Sequence, residues 1–355
     1  MHLQHKQDSA LKLKYVRADA EGYRRLRNKN GFFYVDSEGK KIKDTEILSY
    51  IESLVLPPAW EDVWISMEQN GHLLATGIDA LGRKQYRYHT KWMQIRNLKK
   101  FEKLYDFGSA LPKLKRRLKK DLRKRTFIKD KITATAILVM SETYLRAGNT
   151  LYEQKYGSYG LTTLKNKHVN IVGSKAFFKF TGKKSVQQNI VLTNSGLVRV
   201  LKKIKELPGQ KLFQYYDSEG CIQQLDSGNV NQYIQTYMNG DFSCKDFRTW
   251  AGCCMALLCM IDTETGKIKD PTHKNLVGII DEVANKLGNT RNITRNYYIH
   301  PQLQQDFLDN KLNKHINRLI NRIKKGKQPT ESAEQIFMSY LKENGTVNYQ
   351  KSARP

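Results

Sequence analysis

Two adjacent tyrosines near the end of the chain follow two arginines that are spaced four residues apart. Arg291 and Arg295 would share one face of a helix, and Tyr297 and Tyr298 come directly after them. A tyrosine hydroxyl can attack phosphorus and form a covalent intermediate when nearby groups accept its proton or lower its pKa. A simpler interpretation is that both rings pack where a helix ends before Pro301. These residues alone leave both interpretations open.

Three further basic motifs precede this stretch. Arg146 lies where an apolar helical pattern breaks at Gly148, Lys183 lies in a predicted β-turn, and Arg248 opens an apolar helical stretch. Each also fits an ordinary role: a helix cap, an exposed turn, or a buried cation paired with Asp246. Phosphoryl transfer without a metal needs cations on both non-bridging oxygens, a proton donor for the leaving oxygen and a nucleophile. The order Arg, Lys, Arg, Tyr supplies that set, and the sequence contains no carboxylate cluster suited to Mg²⁺.

The composition agrees with a polyanionic partner. The 355 residues include 61 Lys and Arg against 34 Asp and Glu, a formal net charge of +27, which favours nucleic acid over an acidic membrane surface. The longest apolar run, residues 251–261, is too short to span a bilayer, and the polar N-terminus does not resemble a signal peptide. The five cysteines lack metal-binding spacing, so we expect reduced, buried thiols at Cys221, Cys244, Cys253, Cys254 and Cys259.

The elements that must position these residues fall into two predicted domains. Residues 1–95 are expected to form a small strand-rich domain in which a helix starts at Asp44 or Thr45. Its strands, two of them joined by an Asn-Gly turn, are predicted within 31–42, 63–67, 72–76 and 83–89. Residues 96–355 are expected to be mainly helical, with three β-like runs between 162 and 192. The helices are predicted at 92–106, 109–125, 129–147, 195–206, 227–238, 244–261 and 274–287, followed by a helical tail from 302.

The chain resembles the type IB DNA topoisomerases of the small poxvirus and bacterial kind over most of residues 30–301. The motifs that carry the resemblance are Leu56–Trp64, Ala75–Tyr88, Arg146–Asn149, Gly160–His168, Phe180–Lys183, Lys245–Trp250 and Leu287–Pro301. The resemblance implies an α+β fold: a small β-rich N-terminal DNA-binding domain plus a mainly α-helical catalytic domain with a three-stranded β-sheet. It also implies that the two domains form a C-shaped DNA clamp, and that the catalytic domain has the tyrosine recombinase fold.

The resemblance also implies a role for each residue of the site. Tyr298 would attack the scissile phosphorus and form a 3′-phosphotyrosyl link, while Arg146 and Arg248 bind the non-bridging oxygens. Lys183 would protonate the departing 5′ oxygen, and Lys245 would assist that transfer.

Two positions depart from the pattern of the poxvirus enzymes. Asn289 stands where most of these enzymes have histidine, and an asparagine there can donate a hydrogen bond but cannot carry charge. That departure is similar to the bacterial members. Cys253 stands where the poxvirus enzymes have asparagine, which leaves a polar contact at this position open.

The resemblance implies that the partner is duplex DNA and that a single copy of the chain acts on it. It also implies that the reaction requires no metal, no cofactor and no ATP. On one strand Tyr86 and Tyr88 would share a face, with Gln85 on the other. The residues expected to contact DNA are Arg83, Gln85, Tyr86, Tyr88, Arg96, Asn149, Tyr152, Lys165 and Lys167. No membrane contact is expected, and the implied location is cytoplasmic, in a bacterial nucleoid or in a virion or virus factory.

A tyrosine recombinase is the alternative function, because it shares the order of the catalytic residues. Such an enzyme would normally carry histidine three residues before the second arginine, where this chain has Lys245. A protein that merely compacts DNA would explain the charge but not the ordered site.

Overall fold

The computed structural model describes residues 13–29 and 31–344. Two compact units are present, Met1–Lys100 and Phe101–Pro355. Residues 1–12 of the predicted first domain and residues 345–355 of the predicted helical tail lie outside the described residues. Among the described residues, no helix combines the length and the apolar character needed to cross a membrane.

The first unit is built on a five-stranded antiparallel sheet with the strand order β2-β1-β3-β4-β5. Its strands are β1 (Gly22–Asn28), β2 (Gly31–Val35), β3 (Glu61–Ser66), β4 (Leu73–Ile78) and β5 (Lys84–Tyr88). Helix α1 (Thr45–Ser53) follows β2, and the Asp44 side chain caps it by accepting hydrogen bonds from the Glu46 and Ile47 N–H groups. The predicted helix start, the β3–β4 hairpin and the following strand are therefore confirmed.

The prediction of two strands within residues 31–42 was wrong. β2 pairs along its length with β1, from Arg24 opposite Val35 to Asn28 opposite Gly31, and residues 22–28 had no predicted structure. After Val35 the chain turns, with Gly39 at φ +83°, and only a single bridge joins Val35 to Lys41. The pairing partner thus came from a basic segment whose sequence lacks a clear alternation of apolar residues.

The second unit is mainly helical. Its helices are α2 (Thr90–Leu122, which begins in the first unit), α3 (Lys129–Thr143), α4 (Thr150–Tyr156), α5 (Ser195–Lys205), α6 (Ser227–Met238), α7 (Cys244–Cys259), α8 (His273–Leu287), α9 (Arg291–Tyr297), α10 (Pro301–Leu308), α11 (Asn313–Lys324) and α12 (Pro329–Asn344). Its predicted three-stranded antiparallel sheet is confirmed as β6 (Val169–Val172), β7 (Lys175–Thr181) and β8 (Gln187–Leu192), with β7 in the centre. The short helix α4 and a two-stranded ribbon, β9 (Gln214–Tyr216) and β10 (Ile222–Gln224), had not been predicted.

Three details of this unit differ from the sequence-based expectation. The helices predicted at 92–106 and 109–125 are one helix, α2, with Pro112 inside it. The apolar side chains on both sides of the proline, Phe107 and Leu111 before it and Leu114 and Leu118 after it, are buried in one core, and this packing explains the continuity. Helix α3 ends at Thr143 rather than near 147, because Tyr144 adopts a left-handed conformation with φ +56°. Four of the five cysteines are buried as expected, whereas Cys221 is exposed.

Candidate active site

The backbone of Tyr298, the candidate nucleophile, is held at the end of helix α9. Thr290 caps the start of this helix, and the Tyr298 N–H closes its last turn by donating to the Thr294 carbonyl at 3.0 Å. Helix α7 passes against this turn at Gly252, where a Cβ would lie only 2.4 Å from the Tyr298 carbonyl oxygen. A glycine at 252 therefore permits the close approach of α7 to the tyrosine.

Arg248 lies in the first turns of α7 and is 4% exposed. Its Nη2 donates to the Leu287 carbonyl at 2.7 Å, and its Nη1 donates to the Tyr144 carbonyl. The carbon centre of the guanidinium, Cζ, lies 5.4 Å from the ring centroid of Tyr298. Burial and the nearby Arg146 lower the pKa of Arg248 to about 10, while Tyr298 acts in the opposite direction. Arg248 therefore remains a cation at neutral pH.

The pairing of Arg248 with Asp246, one of the alternatives that the sequence left open, is not formed. Asp246 instead caps helix α7, where its Oδ2 accepts hydrogen bonds from the Ser243 N–H and hydroxyl at 2.8 and 2.9 Å. Arg248 is held by two carbonyl groups, and within residues 13–29 and 31–344 its buried Nε has no hydrogen-bond partner. A buried cation held by neutral groups is favourable mainly when an anion can reach it, as a phosphate would.

Arg146 follows the left-handed turn that ends α3. Its carbonyl accepts a hydrogen bond from the Leu161 N–H at 2.8 Å, which ties this segment to the loop before β6. The two backbone segments are in contact at glycines, since a Cβ at Gly160 would lie 2.6 Å from the backbone of Gly148. Burial lowers the pKa of the Arg146 guanidinium, and Tyr298 partly opposes this.

Arg146 and Asn289 are brought together from distant parts of the chain. The Nη2 of Arg146 donates to the Gly288 carbonyl at 3.1 Å and to Oδ1 of Asn289. Because Oδ1 accepts from a guanidinium, the amide orientation of Asn289 is fixed with Nδ2 on the other side. Among the described residues, Nδ2 of Asn289 is buried and has no hydrogen-bond partner. Asn289 thus offers a donor, as its residue type predicts.

Lys183 lies on the turn between β7 and β8. The Gly182 N–H donates to the Val186 carbonyl at 2.8 Å across this turn, and Lys184 has a left-handed conformation with φ +61°. Desolvation lowers the pKa of Lys183, and Arg146 adds to the effect. A pocket of about 520 Å³ is lined by Arg146, Lys183 and Arg248 together with neighbouring residues. Lys245, exposed on the first turn of α7, is near enough to contribute to the lowered pKa of Lys183.

Cys253 makes a polar contact that its residue type had left open. Its thiol donates to the Tyr298 carbonyl at 3.5 Å, and its sulfur accepts from the His300 N–H at 3.3 Å. The side chain is fully buried. Sequence reasoning named this position but neither of its partners, which lie more than forty residues further along the chain. Gly252 and Gly160 were missed as well, and only their close contacts in the fold reveal them.

The candidate DNA-contacting residues of the first unit lie on and beside the edge strand β5. Tyr86 and Tyr88 share a face as predicted and stack with ring centroids 5.9 Å apart. The guanidinium of Arg96 lies 5.9 Å from the centroid of Tyr88. Arg83 and Gln85 both donate hydrogen bonds to the carboxylate of Asp79, a residue that is not among the predicted DNA contacts.

The candidates of the second unit surround helix α4. Asn149 caps this helix by accepting from the Leu151 N–H at 2.8 Å. Tyr152 is 47% exposed, and Lys167 is exposed as well. Lys165 lies 3.7 Å from Glu153, a carboxylate that sequence reasoning had not singled out.

Comparisons with known proteins agree on one family. Residues 89–329 match the family described as eukaryotic DNA topoisomerase I, catalytic core, and residues 31–79 match the bacterial DNA topoisomerase IB, N-terminal domain. The DNA topoisomerase 1B of Acanthamoeba polyphaga mimivirus is 29% identical over 286 residues, which cover 79% of this chain and 85% of the viral protein. The DNA topoisomerase 1B of vaccinia virus (strain Copenhagen) is 26% identical over 242 residues, which cover 68% of this chain and 73% of the viral protein.

Proposed function

The chain belongs to the type IB DNA topoisomerase family, and we propose that Tyr298 and five polar side chains around it carry the strand-breaking reaction. The activity of the family is relaxation of supercoiled DNA by transient nicking of one strand, rotation and religation. The assignment of individual residues to its steps is our proposal.

In the proposed cleavage step Tyr298 loses its phenol proton to solvent water, its oxygen bonds to phosphorus, and the bond from phosphorus to the 5′ oxygen breaks. The products are a 3′-phosphotyrosyl link and a free 5′-hydroxyl. Arg146 and Arg248 bind the non-bridging oxygens, and Asn289 donates a hydrogen bond through Nδ2. Fixed donors aimed at developing charge in a buried site are among the largest contributions to catalysis. Religation is the same step in reverse, so the phosphotyrosyl link conserves the bond energy and no ATP is required.

Lys183 is the proposed general acid. Its proton passes to the 5′ oxygen as that oxygen leaves, and it takes the proton back during religation. A lowered pKa brings an ammonium closer to the operating pH, which favours proton transfer in both directions. Lys245 assists as a nearby cation that contributes to the lowered pKa of Lys183.

One observation carries the choice of nucleophile. The buried guanidinium of Arg248 lies against the ring of Tyr298, and the charge interaction with Tyr298 partly offsets the lowered pKa of Arg248. A cation at this position stabilises a phenolate and also attracts a phosphate to the same place. This supports Tyr298 over its neighbour Tyr297.

We further propose that residues 1–95 act mainly in DNA binding and residues 96–355 in catalysis, and that one copy acts on double-stranded DNA. We also propose a cytoplasmic location, at a bacterial nucleoid or in a virion or virus factory, and the similarity to viral proteins supports the second. The C-shaped clamp and the tyrosine recombinase fold stay predictions of the resemblance.

The test compares Tyr298→Phe with the neighbouring variant Tyr297→Phe. Tyr298→Phe removes one oxygen and should bind duplex DNA without forming a covalent adduct on a labelled strand in a denaturing gel. Tyr297→Phe should relax a plasmid in EDTA without ATP at a rate within about tenfold of the parent, which is less than about 1.4 kcal/mol of barrier. An adduct formed by Tyr298→Phe but not by Tyr297→Phe would show that the nucleophile is misassigned.

A further inference from the structure

The turn between β4 and β5 contains a carboxylate that binds the strand following it. Oδ1 of Asp79 accepts hydrogen bonds from the backbone N–H groups of Leu81 and Arg83 at 3.0 and 2.9 Å. Its Oδ2 accepts from Nε of Arg83 at 2.7 Å and from Nε2 of Gln85 at 2.8 Å. One carboxylate therefore orients two of the side chains that are expected to contact DNA.

The chemistry of this contact decides which way the amide of Gln85 faces. Desolvation raises the pKa of Asp79, but hydrogen bonds from Arg83 and Leu81 outweigh it, so the pKa lies below its usual value. An ionised carboxylate only accepts hydrogen bonds. The group of Gln85 that faces Asp79 must therefore be the NH₂, which turns the carbonyl oxygen Oε1 away from the turn. Over residues 13–29 and 31–344, no hydrogen bond to this oxygen is found.

The location suits recognition of a base. β5 is an edge strand, and its register places Gln85 opposite Gly77 of β4. The major groove of duplex DNA admits two β-strands, so the β4–β5 edge of the sheet could enter it, and every base pair presents a different pattern of donors and acceptors there. Gln85 is half-buried, so its amide is accessible but restrained.

We propose that Asp79 determines the base preference of this chain by holding Gln85 with its carbonyl oxygen toward DNA. The inference rests on the proposed function, because it takes β5 to face the duplex. A carbonyl accepts a hydrogen bond from the exocyclic amino group of adenine or cytosine. The second hydrogen of Nε2 can reach N7 of adenine, which favours adenine of the two. Guanine and thymine present acceptors, O6 and O4, and oppose the carbonyl.

The variant Asp79→Asn should invert this preference. Its side-chain oxygen can retain the hydrogen bonds from the backbone N–H groups of Leu81 and Arg83, which places its NH₂ toward Gln85 and toward Nε of Arg83. Two donors cannot face each other there, so the partly exposed side chain of Arg83 must give up this hydrogen bond. The amide of Gln85 then turns its carbonyl to that NH₂ and presents its own NH₂ to the DNA. The preferred base should change from one with an amino group to guanine or thymine.

The experiment maps cleavage sites of the full-length chain on randomised duplex DNA by sequencing the covalently trapped strands. Gln85→Leu identifies the base pair concerned, because the preference should fall there by about tenfold and be unchanged elsewhere. Asp79→Asn should then change the preferred base pair at that position, because guanine or thymine replaces the amino base on the strand that Gln85 contacts. Asp217→Asn is the matched control and should leave the map unchanged, since Asp217 forms the same turn on another hairpin, with the Cys221 N–H at 2.8 Å and Nε2 of Gln223 at 2.8 Å.

An unchanged preferred base pair in Asp79→Asn would overturn the inference, as would undiminished cleavage by the parent of DNA whose adenine or cytosine at that base pair lacks its exocyclic amino group. A Gln85→Leu map identical to the parent map would do the same. If the parent forms no covalent complex, the proposed function itself fails, which is a separate result. If Asp79→Asn does not fold, the parent is tested on DNA whose base at that position lacks the exocyclic amino group. Cleavage there should fall by about tenfold, and undiminished cleavage would overturn the inference.

Discussion

Replacing Gly252 by alanine tests whether the backbone of Tyr298 must lie where helix α7 holds it. The new Cβ would lie 2.4 Å from the Tyr298 carbonyl oxygen and 3.1 Å from the Tyr298 Cβ. Ordinary contact begins near 3.4 Å, so the tyrosine must move by 3.4 − 2.4 Å, or about 1 Å. Because a misplacement of about 1 Å can cost roughly 10²-fold in rate, we expect single-turnover cleavage to slow by about that factor.

Gly278→Ala is the matched control. Gly278 is an exposed residue of helix α8, and no atom lies within 4 Å of the position of its new Cβ. Cleavage by this variant should equal that of the parent, with a gain of about 0.4–1 kcal/mol in the free energy of unfolding. Gly252→Ala should lose about 1–3 kcal/mol through overpacking, which leaves a domain of this size folded at 25 °C.

The assay measures adduct formation on a duplex whose cleaved strand cannot be religated, with affinity for DNA and thermal unfolding measured in parallel. DNA affinity should change little, because it comes from many basic residues spread over the chain. A folded Gly252→Ala variant that cleaves within threefold of the parent would refute the reasoning.

Three further outcomes are expected. Lys183→Ala should cleave about 10²–10⁴-fold more slowly, and a substrate with a 5′-bridging sulfur, which leaves without a proton, should restore the rate. Because the pKa of Lys183 is lowered, cleavage by the parent should decline with rising pH before a free lysine would lose its proton. A cleavage rate that stays level up to pH 10.5 would contradict this. Asn289→Ala should lose about 10²-fold while Asn289→His keeps substantial activity, so equal rates for Asn289→Ala and the parent would rule out the donor role. The logarithm of DNA affinity should fall steeply with the logarithm of salt concentration, and a slope shallower than about −3 would count against contacts to many phosphates.

Local features of the fold were predictable because they depend on neighbouring residues. The Asp44 cap, the β3–β4 hairpin and most helix positions follow from side chains within a few residues of each other. The continuity of α2 was not predictable, because burial of its apolar side chains on both sides of Pro112, in a core formed with distant segments, outweighs the local effect of the proline. The β1–β2 pairing was missed for a similar reason, since the apolar alternation that reveals a strand is weak in residues 22–28.

The sequence by itself determined which residue types are present and in what order: two arginines, a lysine and a tyrosine in a strongly basic chain. It could not assign a partner to any of them. The contact between Arg146 and Asn289 joins residues 143 positions apart, and the contact between Arg248 and Tyr144 joins residues 104 positions apart. Hydrophobic periodicity and turn signals extend over only a few residues. The tertiary structure alone therefore decided that Arg248 is held by carbonyl groups and not by Asp246. It also decided that Nδ2 of Asn289 has no hydrogen-bond partner in the part of the chain that the structure describes. Both depend on which distant backbone segments pack together.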